Sequence, residues 1–219
     1  MNLELKKRII TSFLLLLLLG LMFLYSFILI ISSIIIGLIC WIEFYALISK
    51  VFKKDNFKNK ILRFACKTSS LLYLSGVVFF IIAANTINTD LFVILIFSLS
   101  VAIMSDIGGI VFGKYFKGKK LTKISPNKTI SGSIGSFIFS FFLIPIFFSY
   151  LDTHNFLTKV LFTIIISITS QLGDLLISFL KRKANVKDTS DLLPGHGGVL
   201  DRVDGIIFAI PTGLLIFTV

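Results

Sequence analysis

The chain has 219 residues, 56% of them hydrophobic, with 24 Phe and a mean hydropathy of +0.97. Repeated apolar stretches about 20 residues long exclude an ordinary soluble domain and indicate a polytopic membrane protein. The net charge of +11 would suggest nucleic acid in a soluble chain, but membrane proteins gather Lys and Arg on their cytoplasmic side, so no nucleic-acid partner is expected. Cys40 lies in an apolar run and Cys66 in a basic loop, which gives neither a disulfide framework nor paired zinc-ligand spacing.

In chain order, Lys6-Lys7-Arg8 precedes Leu14 to Leu19 like the start of a signal peptide. No small-residue cleavage pattern follows, and the apolar run continues to about Ser49, so a retained first span is expected. Seven apolar segments can be drawn, at 9–25, 27–48, 68–84, 91–112, 131–150, 156–180 and 203–219. Helices are expected, because lipid cannot satisfy open backbone groups, and no segment alternates like a barrel strand. The first two segments are joined by almost nothing. Of the 22 basic residues, 21 fall before segment 1 or between segments 2 and 3, 4 and 5, or 6 and 7, and only Lys159 falls on the other side. The fold class predicted is therefore all-α, polytopic, with about seven transmembrane helices and a cytoplasmic N-terminus. The short connections 85–90 and 150–155 read as external turns. The longer ones, about 113–130 and 181–202, hold nearly all the Gly, Pro and charge, and function is expected there.

Three carboxylates lie within the apolar segments: Glu43, Asp106 and Asp174. Each costs roughly 2.5–3.5 kcal/mol at a helix centre and so needs a reason. Gln171, Asp174, Ser178 and Lys181 stack on one helix face among apolar neighbours, as an interhelical hydrogen-bond ladder or as the wall of a wet cavity. Ser98, Ala102, Asp106, Gly109 and Gly113 form a second, small or polar stripe that fits helix packing as well as a ligand. Asp106 and Asp174 sit at matched depth, roughly 10–12 Å inside the basic boundary. A pair of that kind suits a divalent cation that holds phosphates. Glu43, one turn from a span end beside Trp41, reads as a structural residue that can snorkel to the interface.

The stretch 181–204 packs Asp188, Asp191, Asp201 and Asp204 with five cations and His196. Gly195, Gly197 and Gly198 flank the histidine and can expose backbone N–H groups to phosphate. Lys181, Arg182, Lys187 and Arg202 can neutralise phosphate oxygens. A solvated loop against anionic lipid would explain the cations, but not the carboxylates or the glycine run. Upstream, Ser125-Pro126-Asn127-Lys128-Thr129 reads as a helix start, which caps a helix or binds an anion. Lys117, Lys119 and Lys120 read as a lipid-surface patch.

From Ser178 to Asp204 the chain resembles the signature of the phosphatidate cytidylyltransferases, or CDP-diglyceride synthases. The matching elements are Ser178, Leu180-Lys181-Arg182, Lys187-Asp188, Ser190, Leu193-Pro194, His196-Gly197-Gly198, Asp201-Arg202 and Asp204. Gln171-Leu172-Gly173-Asp174, Asp106 to Lys114 and Ser125 to Gly132 resemble further family stretches. Ile177, Ile130-Ser131 and Ile110 depart from the pattern, which commonly has Glu, Trp-Glu and an aromatic at or near those places. The resemblance implies transfer of CMP from CTP to phosphatidic acid, giving CDP-diacylglycerol and pyrophosphate. It implies Mg²⁺ on Asp174 and Asp201, with Asp106 and Asp204 secondary, and Asp174, Asp201, Lys181 and Arg182 as the catalytic set. Ser125, Lys128, Thr129, Lys187, His196, Gly197, Gly198 and Arg202 would bind substrate. A two-span segment, 1–67, would precede a catalytic membrane domain, 68–219, within one structural domain. The partners implied are CTP, phosphatidic acid and membrane lipids, at a multi-pass position in the cell's inner membrane with the site facing the cytoplasm. An accessory monovalent cation and a homodimer stay open, as do a CTP-dependent lipid kinase and an anion transporter.

Overall fold

Apolar residues in runs this long satisfy their backbone only by helix formation, and the computed structural model is built of helices. It describes residues 3–122, 125, 128–151 and 155–218. The elements are α1 (Leu3–Leu24), α2 (Ser26–Val51), α3 (Phe57–Ile87), α4 (Thr89–Phe116), α5 (Ile130–Phe141), α6 (Leu143–Phe147), α7 (Phe156–Lys183), α8 (Leu200–Val203) and α9 (Ile206–Thr218). Among the described residues there is no strand, only the isolated bridges Lys120–Thr129 and Leu193–Gly197. The chain is an all-α polytopic membrane protein. Among the described residues six spans are long and apolar enough to cross a bilayer, α5 and α6 counting together as one. The seventh expected segment, 203–219, holds the last residue of α8 and the 13-residue α9.

Local chemistry sets the boundaries. A single extended residue, Tyr25 (φ −130°, ψ 108°), separates α1 from α2. The helix α3 begins well before its apolar part, so Lys58, Lys60, Arg63 and Lys67 ride on its first turns instead of in a loop. Its 31 residues are about 46 Å long, more than the roughly 30 Å hydrocarbon thickness, so a polar end can project into the headgroups. Asn88 starts α4 by accepting the Asp90 N–H at 3.0 Å. Pro145 has no N–H to give the Phe141 carbonyl, and α5 ends at that residue. The expected helix start at Ser125 is displaced: Thr129 is the N-cap of α5, its Oγ1 accepting the Gly132 N–H at 3.1 Å. Pro126, Asn127 and Lys123 lie outside the described residues, as do Asp152, Thr153 and His154 of the 150–155 connection, where an external turn is expected.

Contacts group the chain into two compact units, Met1–Ile82 with Leu180–Val203, and Ala83–Phe179 with Asp204–Val219. In the first, Leu29, Cys40, Leu47 and Ile48 are buried on one face of α2, while Phe27 and Leu38 remain exposed on the same helix, as lipid-facing residues should. In the second, α4 and α5 approach closely through glycines. A Cβ at Gly132 would lie 2.8 Å from the Gly109 carbonyl oxygen, and one at Gly135 would strike Phe112 and the Gly108 carbonyl. The small-residue stripe of α4 is thus a helix-packing seam, with Ser98 and Ala102 fully buried in it.

Candidate active site

Within the first unit, the 188–202 segment folds around two carboxylates. Gly195 (φ +75°) and Gly197 (φ +81°) adopt left-handed backbone, which glycine tolerates without strain. They close a tight turn in which the Leu193 carbonyl accepts from His196 N–H at 2.9 Å and Gly197 N–H at 3.1 Å. Asp201, at the start of α8, is almost enclosed. Its Oδ1 accepts from Lys181 Nζ at 2.6 Å, and its Oδ2 accepts the Thr189 N–H at 2.8 Å and the Gly198 N–H at 3.0 Å. Burial pushes the Asp201 pKa up, but the Lys181 hydrogen bond and the two backbone N–H groups outweigh it, and the carboxyl is held below its ordinary value.

The second carboxylate is Glu43, from α2, only 5% exposed. Its Oε1 accepts from Ser190 Oγ at 2.6 Å and Val199 N–H at 3.0 Å, and its Oε2 from Thr189 Oγ1 at 2.9 Å and Leu200 N–H at 2.8 Å. It does not snorkel: the side chain turns inward because orphan N–H groups at the start of α8 give an anion more than headgroup water would. The Thr189 hydroxyl also lies 3.0 Å from Asp201 Oδ2, and its one proton serves one carboxylate at a time.

The remaining predicted residues of this unit divide by exposure. Arg182, Lys187 and Arg202 are exposed. Arg202 spends Nε and Nη2 on the His196 carbonyl, at 3.0 and 2.6 Å, leaving three N–H donors for other acceptors. His196 Nε2 is 3.2 Å from Ser12 Oγ, and its Nδ1 is buried with no partner among the described residues. The Thr11 hydroxyl of α1 donates to the Pro194 carbonyl at 3.0 Å, so α1 is stitched to the turn at two points.

Within the second unit, Asp174 forms an ion pair with Lys128. It also accepts from Ser178 Oγ at 3.3 Å. Asp106 is within electrostatic reach of both Asp174 and Lys128. The polar stripe of α7 continues through Gln171, whose Oε1 accepts from Ser133 Oγ at 2.6 Å. Gly173 lets α9 approach: a Cβ there would sit 2.6 Å from the Asp204 carbonyl. Asp204 itself is buried, and its Oδ1 accepts the Gly205 N–H at 3.0 Å. The Ser125 carbonyl accepts the Lys128 N–H at 3.1 Å, closing a turn that places Lys128 just before the α5 cap.

The donor set suits a hard divalent cation in this second cluster. Two carboxylates, Asp106 and Asp174, already share a positive charge, supplied by the Lys128 ammonium. No three His, Cys, Asp or Glu side chains gather among the described residues. Asp201 fits less readily, because its oxygens already accept from Lys181, Thr189 and Gly198.

Residues 4–219 match the sequence profile of the cytidylyltransferase family. The chain belongs to that family. It is 42% identical over 119 residues to a phosphatidate cytidylyltransferase of Staphylococcus haemolyticus (strain JCSC1435), covering 53% of this chain and 46% of the relative. To the phosphatidate cytidylyltransferases of Staphylococcus epidermidis (strain ATCC 12228 / FDA PCI 1200) and Staphylococcus aureus (strain COL) it is 40% identical over 119 and 120 residues, with the same coverage. The chain spans about half the length of the curated relatives it matches. In this cytidylyltransferase-family chain, sequence reasoning named Asp201 and Lys181 from the signature, but gave no place among them to Thr189 or Glu43, which are bonded to each other. The signal for Glu43 was its cost in lipid: a carboxylate inside a span that must be satisfied somewhere.

Proposed function

We propose that the chain makes CDP-diacylglycerol. A phosphate oxygen of phosphatidic acid attacks the α-phosphorus of CTP, the new P–O bond forms, and pyrophosphate leaves with the electrons of the broken α–β bridge. The observation that carries this reading is the 178–204 signature, within which Asp201 accepts from Lys181, Thr189 and Gly198, in a chain of the cytidylyltransferase family. Family membership favours neither a lipid kinase nor a transporter.

Attack by one anion on another needs positioning and charge neutralisation more than covalent catalysis. Lys128, Lys181, Arg182, Lys187 and Arg202 would supply that charge. Gly197, Gly198 and His196 shape the turn that receives the nucleotide, and Ser125 and Thr129 order the segment that carries Lys128. Mg²⁺ would supply charge neutralisation that lowers the repulsion between the two anionic substrates. Asp174 with Asp106 would hold it, Lys128 then turning from Asp174 to phosphate. Asp201, for its part, would be open to a Mg²⁺ only once Lys181 leaves it for phosphate, and Asp204 would be a secondary ligand. The 21 basic residues on one side support insertion with the N-terminus and this chemistry at the cytoplasmic face of the inner membrane.

The test is product formation by the purified chain in detergent–lipid micelles with labelled CTP, phosphatidic acid and Mg²⁺, beside Asp174→Asn and Asp201→Asn. CDP-lipid and pyrophosphate from the parent, lost in both variants, is the expected result. Phosphorylated lipid with CDP instead, or no CDP-lipid from folded parent protein, would overturn the reading.

A further inference from the structure

One buried carboxylate, Glu43, has no part in the chemistry above, yet it holds both flanks of the glycine turn. It reaches Thr189 and Ser190 on one side and Val199 and Leu200 on the other, with all four donors between 2.6 and 3.0 Å. Gly198 is shaped for it. A Cβ there would come within 2.6 and 2.8 Å of the two Glu43 oxygens, closer than carbon and oxygen can sit. The same segment delivers the Thr189 and Gly198 N–H groups to Asp201. Whatever fixes residues 189 and 198 therefore fixes the Asp201 carboxylate and the orientation of its lysine.

We propose that Glu43 is a positioning residue for nucleotide binding: it pins residues 189–190 and 199–200 to α2, and so sets the turn and Asp201 in the arrangement that receives the CTP phosphates. This rests on the cytidylyltransferase reading and extends it to a residue of the second helix. Glu43 faces four neutral donors, the Thr189 hydroxyl shared with Asp201, and among the described residues no cation is paired with it, so its acceptor capacity on both oxygens is what the fold uses.

Glu43→Gln tests this, because it keeps shape and removes one acceptor. One side of the carboxylate faces Ser190 O–H and Val199 N–H, the other Thr189 O–H and Leu200 N–H. The hydroxyls can turn round to accept from the new NH₂, but a backbone N–H cannot. Whichever way the amide settles, either Val199 or Leu200 is left facing a donor. In the full purified chain, kcat/KM for CTP should fall about 10–100-fold, as for other groups that orient a ligand's own ligands. The KM for phosphatidic acid should stay at the parental value. Hydrogen exchange at the Val199 and Leu200 amides should accelerate. Parental kinetics per folded molecule, with or without a loss of folded protein, would overturn the proposal, as would unchanged exchange at both amides. If the parent forms no CDP-lipid, the cytidylyltransferase reading fails by itself, while the exchange measurement still decides whether Glu43 holds the turn. Should Glu43→Gln not fold, Ser190→Ala removes one donor near the surface and is expected to shift the CTP kinetics in the same direction by a smaller factor.

Discussion

Gly198→Ala is the sharpest probe of the signature turn. The added methyl enters the space between Thr189 Oγ1 and both Glu43 oxygens, the latter at 2.6 and 2.8 Å from the new carbon. Two relaxations are open. If Glu43 withdraws, the N–H groups of Val199 and Leu200 lose their acceptor. If the backbone at 198 moves instead, the N–H that Asp201 accepts at 3.0 Å is lost. Hydrogen bonds to a charged partner are worth about 1.5–3 kcal/mol each, and an overpacked core methyl costs about 1–3 kcal/mol. These overlap, because one movement relieves the clash by breaking the bond, so a cost of about 3 kcal/mol is expected. Thermal unfolding in detergent and CDP-lipid turnover measure it together. In a Glu43→Ala background the same methyl meets less resistance, and the two substitutions should be non-additive by about 1–3 kcal/mol. Gly198→Ala with parental melting and turnover, or strict additivity with Glu43→Ala, would refute the packing described for the turn.

Lys181→Met should destabilise by about 3–5 kcal/mol in unfolding experiments, since it leaves Asp201, whose side chain is 4% exposed, without its counter-charge; Arg182→Ala, at an exposed position, should leave the melting temperature within error of the parent. Gly135→Ala should lower stability by about 1–3 kcal/mol, because its methyl meets Phe112 and the Gly108 carbonyl. Gly20→Ala and Gly76→Ala, with nothing within 4 Å of the new carbon, should be neutral or stabilising by up to about 1 kcal/mol; thermal denaturation of the three side by side checks the order. Chelation with EDTA should abolish turnover while leaving the melting temperature near the parental value, because Asp174 and Asp201 keep the lysines they are paired with, and added Mg²⁺ should restore turnover.

The spans were legible because hydropathy and charge are additive along the chain: the six long helices coincide with the first six apolar segments drawn from sequence. What eluded the sequence depended on side chains finding partners far along it. Lys58 to Lys67 looked like a loop because they are polar, yet helix α3 forms through them. Ser125 looked like a cap because proline follows it, but Thr129 is the residue whose hydroxyl reaches the Gly132 N–H. Asp174 and Lys128 were both singled out, and they meet. Glu43 and the 189–200 segment are about 150 residues apart in sequence, a separation no periodicity can bridge. Only the energetic oddity of a carboxylate in an apolar helix pointed to it, and that oddity carries no address.

Lys159 is the one basic residue on the sparse side of the charge count, and it is 2% exposed. Its ammonium donates to the Phe148 carbonyl at 2.8 Å and sits 3.9 Å from the Phe148 ring centroid, where it answers the carbonyls left open as α6 ends. The partner is only eleven residues away, so the loop that must close is short and its entropic cost small. The ammonium can therefore find its hydrogen-bond acceptor as soon as α6 and α7 come together, before distant helices have been synthesised or packed. For the machinery that inserts the chain, this side carries a single ammonium held by nearby backbone, against 21 basic residues on the opposite side of the charge count.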